Sequence, residues 1–289
     1  EPAGYHTTFD DVFSISDGPA AVNPSPADGA TDVSIVADLS WVEAAFATAR
    51  DLWFGKKGAV QKVDPAPAGT TFDPGTLEFG ETYEWRIDEI GPASTVTGHT
   101  WTFRTGRCLV VDDFESYSDD TAIESKWPHN VPPTPFAPYH YVFLETGRVS
   151  QGGKSMRLEY QNQYEPFLTE ATLTFDSPQD WTIAGVNTLS LFFSGEDDNV
   201  EQPMYVKLSD AAGNTSTVVH PYTYAVQSEF WRSWEIALEQ FSNGGVNLAA
   251  ITKIAIGIGD GTNSGQELED RDSVYIDHIR LCPPPSETR

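Results

Sequence analysis

The sequence predicts an all-β chain built as two successive sandwiches, a small one followed by a larger one. Three observations carry this. Runs rich in Val, Ile, Tyr, Phe and Trp recur along most of the chain, separated by clusters of Gly, Pro, Asp and Asn. Helical signal is confined to one short stretch, around "AIES" (122–125) or "LEQFS" (238–242). The length of 289 residues suits two domains, and 39% apolar residues suffice for two ordinary cores.

Residues 1–19, "EPAGYHTTFDDVFSISDGP", form a leader. Its "DVFSIS" alternates, with Phe13 and Ile15 on one side and Val12 on the other, and reads as an isolated strand without a hairpin partner. "NPSPADGATDV" (23–33) is a Pro-rich linker and turn. Strand signals follow at "SIVADLSW", "ARDLWFG", "TYEWRIDEI" and "HTWTFRT", with turns at "DPAPAGT" and "FDPG". About seven short strands over some 85 residues suggest a Greek-key sandwich. In "LEFGETY" (77–83), Leu77 precedes Tyr83 by six residues at the start of a strand. This pattern resembles the tyrosine corner of fibronectin type III domains, in which the Tyr hydroxyl bonds the backbone of the preceding loop. The resemblance covers roughly 20–106, places Trp41 and Trp85 in the core, and implies a spacer or interaction role.

Ten strand candidates make up 107–283: "CLVVDDF", "YHYVFLETGRV", "KSMRLEYQN", "EATLTFD", "TLSLFFSG", "MYVKLSD", "STVVHPYTY", "WRSWEIAL", "ITKIAIGIG" and "SVYIDHIRLC". They suggest a two-sheet jelly roll, leaving 284–289 as a tail. The ordered pieces "VDDFES", "GGKSMRLEY", "QDWTIAGVNTLSLFF", "SEFWRSWEIALEQF", "LAAITKIAIGI" and "VYIDHIRL" resemble jelly-roll carbohydrate-binding modules, particularly family eleven, which binds β-glucans.

That resemblance implies that the first and last strands lie side by side. Cys108 and Cys282, at the two ends of the domain, suit a disulfide; two unrelated buried thiols are the alternative. Leu109, Val110, Val111 and Phe114 would anchor the first strand in the core. The resemblance also implies a structural Ca²⁺ held by Asp113, Glu115 and Asp277, with carbonyls from "SQGGKS". His278 departs from the family pattern, where a second Asp or Asn is common. Edge-strand charge that blunts aggregation is the competing account of these acids.

Alternation supplies candidate glycan contacts. His220, Tyr222 and Tyr224 alternate in "VVHPYTY"; Tyr205 and Lys207 face away from Val206 and Leu208; Arg157 and Glu159 face away from Met156 and Leu158. On one concave sheet they would combine rings that stack on pyranose CH groups with polar groups that bond hydroxyls. The tyrosines could equally fill a second core layer.

The formal charge is −26. Such a surface disfavours nucleic acid, anionic lipid and acidic polysaccharides as partners. No apolar run approaches the length needed to span a bilayer. The chain has no initiator Met or signal-peptide pattern and reads as a mature or trimmed product of an extracellular protein. No His-x-x-x-His, G-x-S-x-G or P-loop motif appears, so no enzyme is expected. Three functions remain in view. One is a secreted, non-catalytic, lectin-like binder. The second is a self-assembling fibre or surface-layer subunit that donates Val12, Phe13 and Ile15 to a neighbour's sheet. The third is the accessory part of a larger polysaccharide-degrading enzyme.

Overall fold

The computed structural model describes residues 20–92, 94–131, 140–162, 165–262 and 271–284. The leader strand, with Val12, Phe13 and Ile15, lies outside the described residues. The chain divides into two compact units, Glu1–Arg107 and Cys108–Arg289, and both are almost entirely β.

The first unit contains β1 (Val22–Ser25), β2 (Ala30–Val33), β3 (Leu39–Val42), β4 (Ala49–Lys56), β5 (Gln61–Lys62), β6 (Thr71–Phe72), β7 (Thr82–Ile90), β8 (Thr95–Val96) and β9 (Trp101–Thr105). One sheet runs β1-β3-β6 and the other β2-β9-β7-β4-β5, with β8 on β7. Among the described residues these are nine against the expected seven, and three of them, β5, β6 and β8, are two-residue pairings. Along β7 the side chains alternate, so Tyr83, Trp85 and Ile87 are buried between Glu84 and Arg86. Trp41 meets Trp85 edge-on at 6.1 Å, and Trp101 closes on Trp85 at 4.6 Å. The Tyr83 hydroxyl accepts the Glu78 amide at 3.0 Å while Leu77 is buried beside it. This bond satisfies a loop amide without a strand partner.

The second unit contains β10 (Leu109–Asp112), α1 (Asp120–Lys126), β11 (Val142–Glu145), β12 (Ser155–Tyr160), β13 (Leu168–Gln179), β14 (Thr188–Ser194), β15 (Met204–Asp210), β16 (Thr215–Val219), β17 (Arg232–Ala237), α2 (Glu239–Asn243), β18 (Ile251–Gly259) and β19 (Asp272–Cys282). Among the described residues, ten strands stand where ten were expected. Both "AIES" and "LEQFS" are helical, rather than one of them; Asp119 caps the first by accepting the Ala122 amide.

One sheet is β11-β12-β19-β14-β17, with β10 also on β19; the other is β13-β18-β15-β16. The inner face of the first presents Met156, Leu158, Leu189, Leu191, Phe193 and Ile276, and that of the second presents Ala171, Val206, Leu208, Ile254, Ile256 and Ile258, all buried. First and last strands are neighbours, with Leu109 opposite Leu281. Cys108 and Cys282 form a disulfide across this pair, Cα–Cα 4.4 Å. The anchoring of β10 is narrower than the sequence suggests. Phe114 is fully buried, but Val110 is 53% exposed because it faces away from the sandwich interior.

Candidate functional site

The outer face of the four-stranded sheet carries a groove of about 490 Å³. Register sets its floor. Glu170 on β13 stands opposite Gly257 on β18, which stands opposite Tyr205 on β15, which stands opposite Val219 on β16. The next row is Thr172, Ala255, Lys207 and Thr217. The small residues of β18 leave a trough between β13 and β15. A Cβ built on Gly257 would stand 2.1 Å from the Tyr205 ring. The phenol therefore lies across the glycine, and its hydroxyl donates to Glu170 Oε2 at 2.9 Å. Lys207 Nζ reaches the same carboxylate at 2.6 and 2.8 Å. Burial first, then the Glu170 carboxylate, push the Tyr205 phenol well above its ordinary range. Asn130 fixes the Glu170 end, because its Oδ1 accepts the Glu170 amide at 2.8 Å.

This arrangement presents a carboxylate and an ammonium that neutralise each other, with Asn130, Thr217 and Asp260 around them and Leu168, Pro203 and Val219 as apolar walls. Neutral ligands rich in hydroxyl groups match it: hydroxyls can donate to the carboxylate and accept from the ammonium, and CH faces can lie on the apolar surface.

Of the seven expected glycan contacts, Tyr205 and Lys207 belong to this groove. Tyr205 is 7% exposed and serves as floor and positioning group rather than as an open stacking ring. Arg157 and Glu159 do not join them. β12 belongs to the opposite sheet, so its outward residues face the other side of the sandwich, where Arg157 pairs with Glu159 at 2.6 Å and lies over the Phe143 ring. His220, Tyr222 and Tyr224 do not alternate on a strand. β16 ends at Val219, Pro221 has no amide to continue a ladder, and a 3₁₀ turn spans Thr223–Gln227. The His220 ring turns inward onto Trp234 and Phe193, at 4.9 and 5.4 Å, and burial lowers its pKa. Tyr222 and Tyr224 stack on each other in the open at 5.2 Å.

The residues missed in the sequence are Glu170, Gly257 and Asn130. Alternation in "EATLTFD" does set Glu170 and Thr172 opposite Ala171 and Leu173, and that signal was available.

The acids of the clasp are not brought together as a cage. Among the described residues no group of three or more His, Cys, Asp or Glu side chains could hold a metal ion. Glu115 Oε1 accepts the amides of Gly153 and Lys154, and Lys154 Nζ donates to the carbonyls of Glu115 and Tyr117. Asp113 accepts the Glu115 amide. Asp277, fully buried, accepts the amides of Ser150 and Gln151 through Oδ2, while Oδ1 has no hydrogen-bond partner. Burial raises its pKa. A left-handed His278 at φ 47° and a register shift in β19 aim this carboxylate at the 150–151 loop. Amide donors thus engage one oxygen each of Asp113, Glu115 and Asp277, the Lys154 ammonium holds the neighbouring backbone carbonyls, and the three acids do not gather into a group that fits the expected ion.

No family model and no curated protein matches the chain. Solved structures that match part of the chain include an exo-β-agarase, at 17% identity and TM-score 0.45 over 61% of this chain and 25% of that one. A second agarase matches at 13% identity and TM-score 0.43, over 61% and 26%. The chain thus spans about a quarter of the length of these two. A family 11 carbohydrate-binding module from Clostridium thermocellum, in complex with a β-1,3-1,4-mixed-linked tetrasaccharide, matches at 13% identity and TM-score 0.39 over 61% of this chain and 95% of that module.

Proposed function

We propose that the second unit is a non-catalytic carbohydrate-binding module of a secreted protein, and that its ligand is a neutral polysaccharide held in the groove across β13, β18, β15 and β16. The observation that carries the reading is the Glu170–Lys207–Tyr205 constellation on the groove floor. It offers fixed hydrogen-bond donors and acceptors whose own charges cancel, with Asp260 beside them as a further carboxylate, which suits sugar hydroxyls and gives no advantage to an acidic ligand. The disulfide between β10 and β19 supports an oxidising compartment. The first unit is read as a fibronectin type III-like spacer. Its two-sheet order and the Tyr83–Glu78 bond support this.

Affinity electrophoresis tests the function. The protein should be retarded in gels containing at least one of mixed-linkage β-glucan, xylan, galactomannan or agarose. Glu170→Ala and Lys207→Ala should abolish the retardation without lowering the melting temperature by more than a few degrees. Free migration of the wild type in all four gels would sink the reading.

A further inference from the structure

β16 (Thr215–Val219) is an outer strand of the groove sheet, and among the described residues it pairs with β15 alone. Alternation fixes which of its backbone groups point outward. The His220 amide donates to the Met204 carbonyl at 2.8 Å and the Asp210 amide to the Asn214 carbonyl at 3.0 Å, so Asn214, Ser216, Val218 and His220 bond β15. The amides and carbonyls of Thr215, Thr217 and Val219 therefore point away from the sheet, and none has a partner among the described residues. α2 leaves them open. It meets β16 at the Ser216 side chain, where a Cβ on Gly244 would stand 2.0 Å from Oγ, and Ser216 points with Val218 to the same side as the buried Val206 and Leu208.

An open edge is a template for another strand, and proteins blunt it with charge, Pro, a bulge or a covering segment. Other edges of this unit are blunted. Across the same sheet, β13 is covered at Glu170 and Thr172 by bonds to Asn130 and Pro128. β17, an edge of the opposite sheet, carries Arg232 and Glu235. β16 has no such device. Its register is unbroken, and residues 211–228 contain no Asp, Glu, Lys or Arg in a chain of which 21% is charged.

The strand is also self-complementary. About a two-fold axis at Thr217, antiparallel pairing sets Thr217 opposite the partner's Thr217 and Thr215 opposite the partner's Val219. Each outward amide then meets an outward carbonyl, and the outer face gains β-branched Thr–Thr and Thr–Val pairs. A charge of −26 on each copy opposes contact except where the surface is uncharged. A partner of opposite charge would find nothing in 211–228 to pair with.

We infer that β16 is a self-association edge, through which two copies join their groove sheets into one across a two-fold axis. The contact is isologous and closes as a dimer, unlike a fibre built by strand donation from the leader. Thr217 and Val219 line the groove, so the two grooves adjoin at the axis and one long glycan would engage both. The dimer itself does not rest on the carbohydrate reading.

Sedimentation equilibrium of the full chain from about 1 μM to about 1 mM tests this. The mass should rise from monomer to dimer and stop there. Added salt should strengthen the dimer, because it screens the repulsion between copies. Thr217→Pro removes one outward amide and no bond to β15; it should stay monomeric over the same range and melt within a few degrees of wild type. Single-cysteine variants check the register independently, since both native cysteines are already bonded to each other. The two copies of position 217 would lie about 5.5 Å apart, within disulfide reach, and the two copies of position 215 about 14 Å apart. Mild oxidation should cross-link Thr217→Cys about tenfold faster than Thr215→Cys. A wild type that stays monomeric throughout, a dimer that salt dissociates, a dimer that survives in Thr217→Pro, or equal cross-linking of the two cysteine variants overturns the inference.

Discussion

Tyr205 lies flat across Gly257, with its ring where a Cβ at 257 would stand 2.1 Å away, and from there its hydroxyl reaches Glu170 on the next strand but one. The groove floor depends on this relationship. Gly257→Ala should lift the ring and break its bond to Glu170. Glycan binding should then fall at least tenfold, while the buried core beneath, Ile256 and Ile258, stays packed. Tyr205→Ala should weaken binding too, and the double variant should be no worse than the worse single one. Additive losses in that cycle would show that the two positions act independently.

The disulfide is the largest single constraint on the second unit, because the bonded cysteines are 174 positions apart. Replacing Cys108 and Cys282 by Ser should cost about 5 kcal/mol at most on the chain-entropy account. Denaturant unfolding of the variant, compared with oxidised and reduced wild type, measures it. A variant as stable as the oxidised wild type would mean that the β10–β19 pairing alone holds the clasp.

Asp210 closes the turn after β15. It accepts the amides of Asn247, Asn214 and Ala212 and the side chain of Asn214. These bonds, the Asn247 amide first, hold its carboxyl at about 2, below the ordinary 3.8. A depressed carboxyl stabilises the fold above its unfolded value and loses that contribution as pH falls through the folded one. Asp210→Asn should therefore lower the melting temperature at neutral pH, and the gap to wild type should close between about pH 4 and pH 2. A gap that stays constant through that window contradicts the assignment.

Asp277 tests the clasp. Asp277→Ala strands the Ser150 and Gln151 amides and should destabilise by about 3 kcal/mol, whereas Asp277→Asn, which keeps an acceptor, should cost about 1 kcal/mol. The wild-type melting temperature should be the same in EDTA and in millimolar Ca²⁺. A rise in Ca²⁺ that Asp277→Asn abolishes would overturn the amide-filled clasp described above.

Much of this protein was legible along the chain because strands announce themselves locally. "SMRLEY" and "MYVKLSD" alternate, so Met156, Leu158, Val206 and Leu208 read as core and are buried. The same alternation could not say that Arg157 and Lys207 point away from each other across the sandwich. It gives the side of a strand, and only the pairing of β12 with β19 and of β15 with β18 gives the sheet. "VVHPYTY" misled for a different reason: Pro221 removes an amide, so the period of two stops at Val219.

The sequence by itself determined the fold class, the strands found among the described residues of the second unit, and two cysteines suited to a bond, since burial of alternating side chains and turn chemistry are local properties. Tertiary structure decided the site. Glu170, Gly257 and Tyr205 meet only because three strands far apart in the chain share one register, and hydrogen bonding across a sheet is set by the whole sandwich rather than by any one strand.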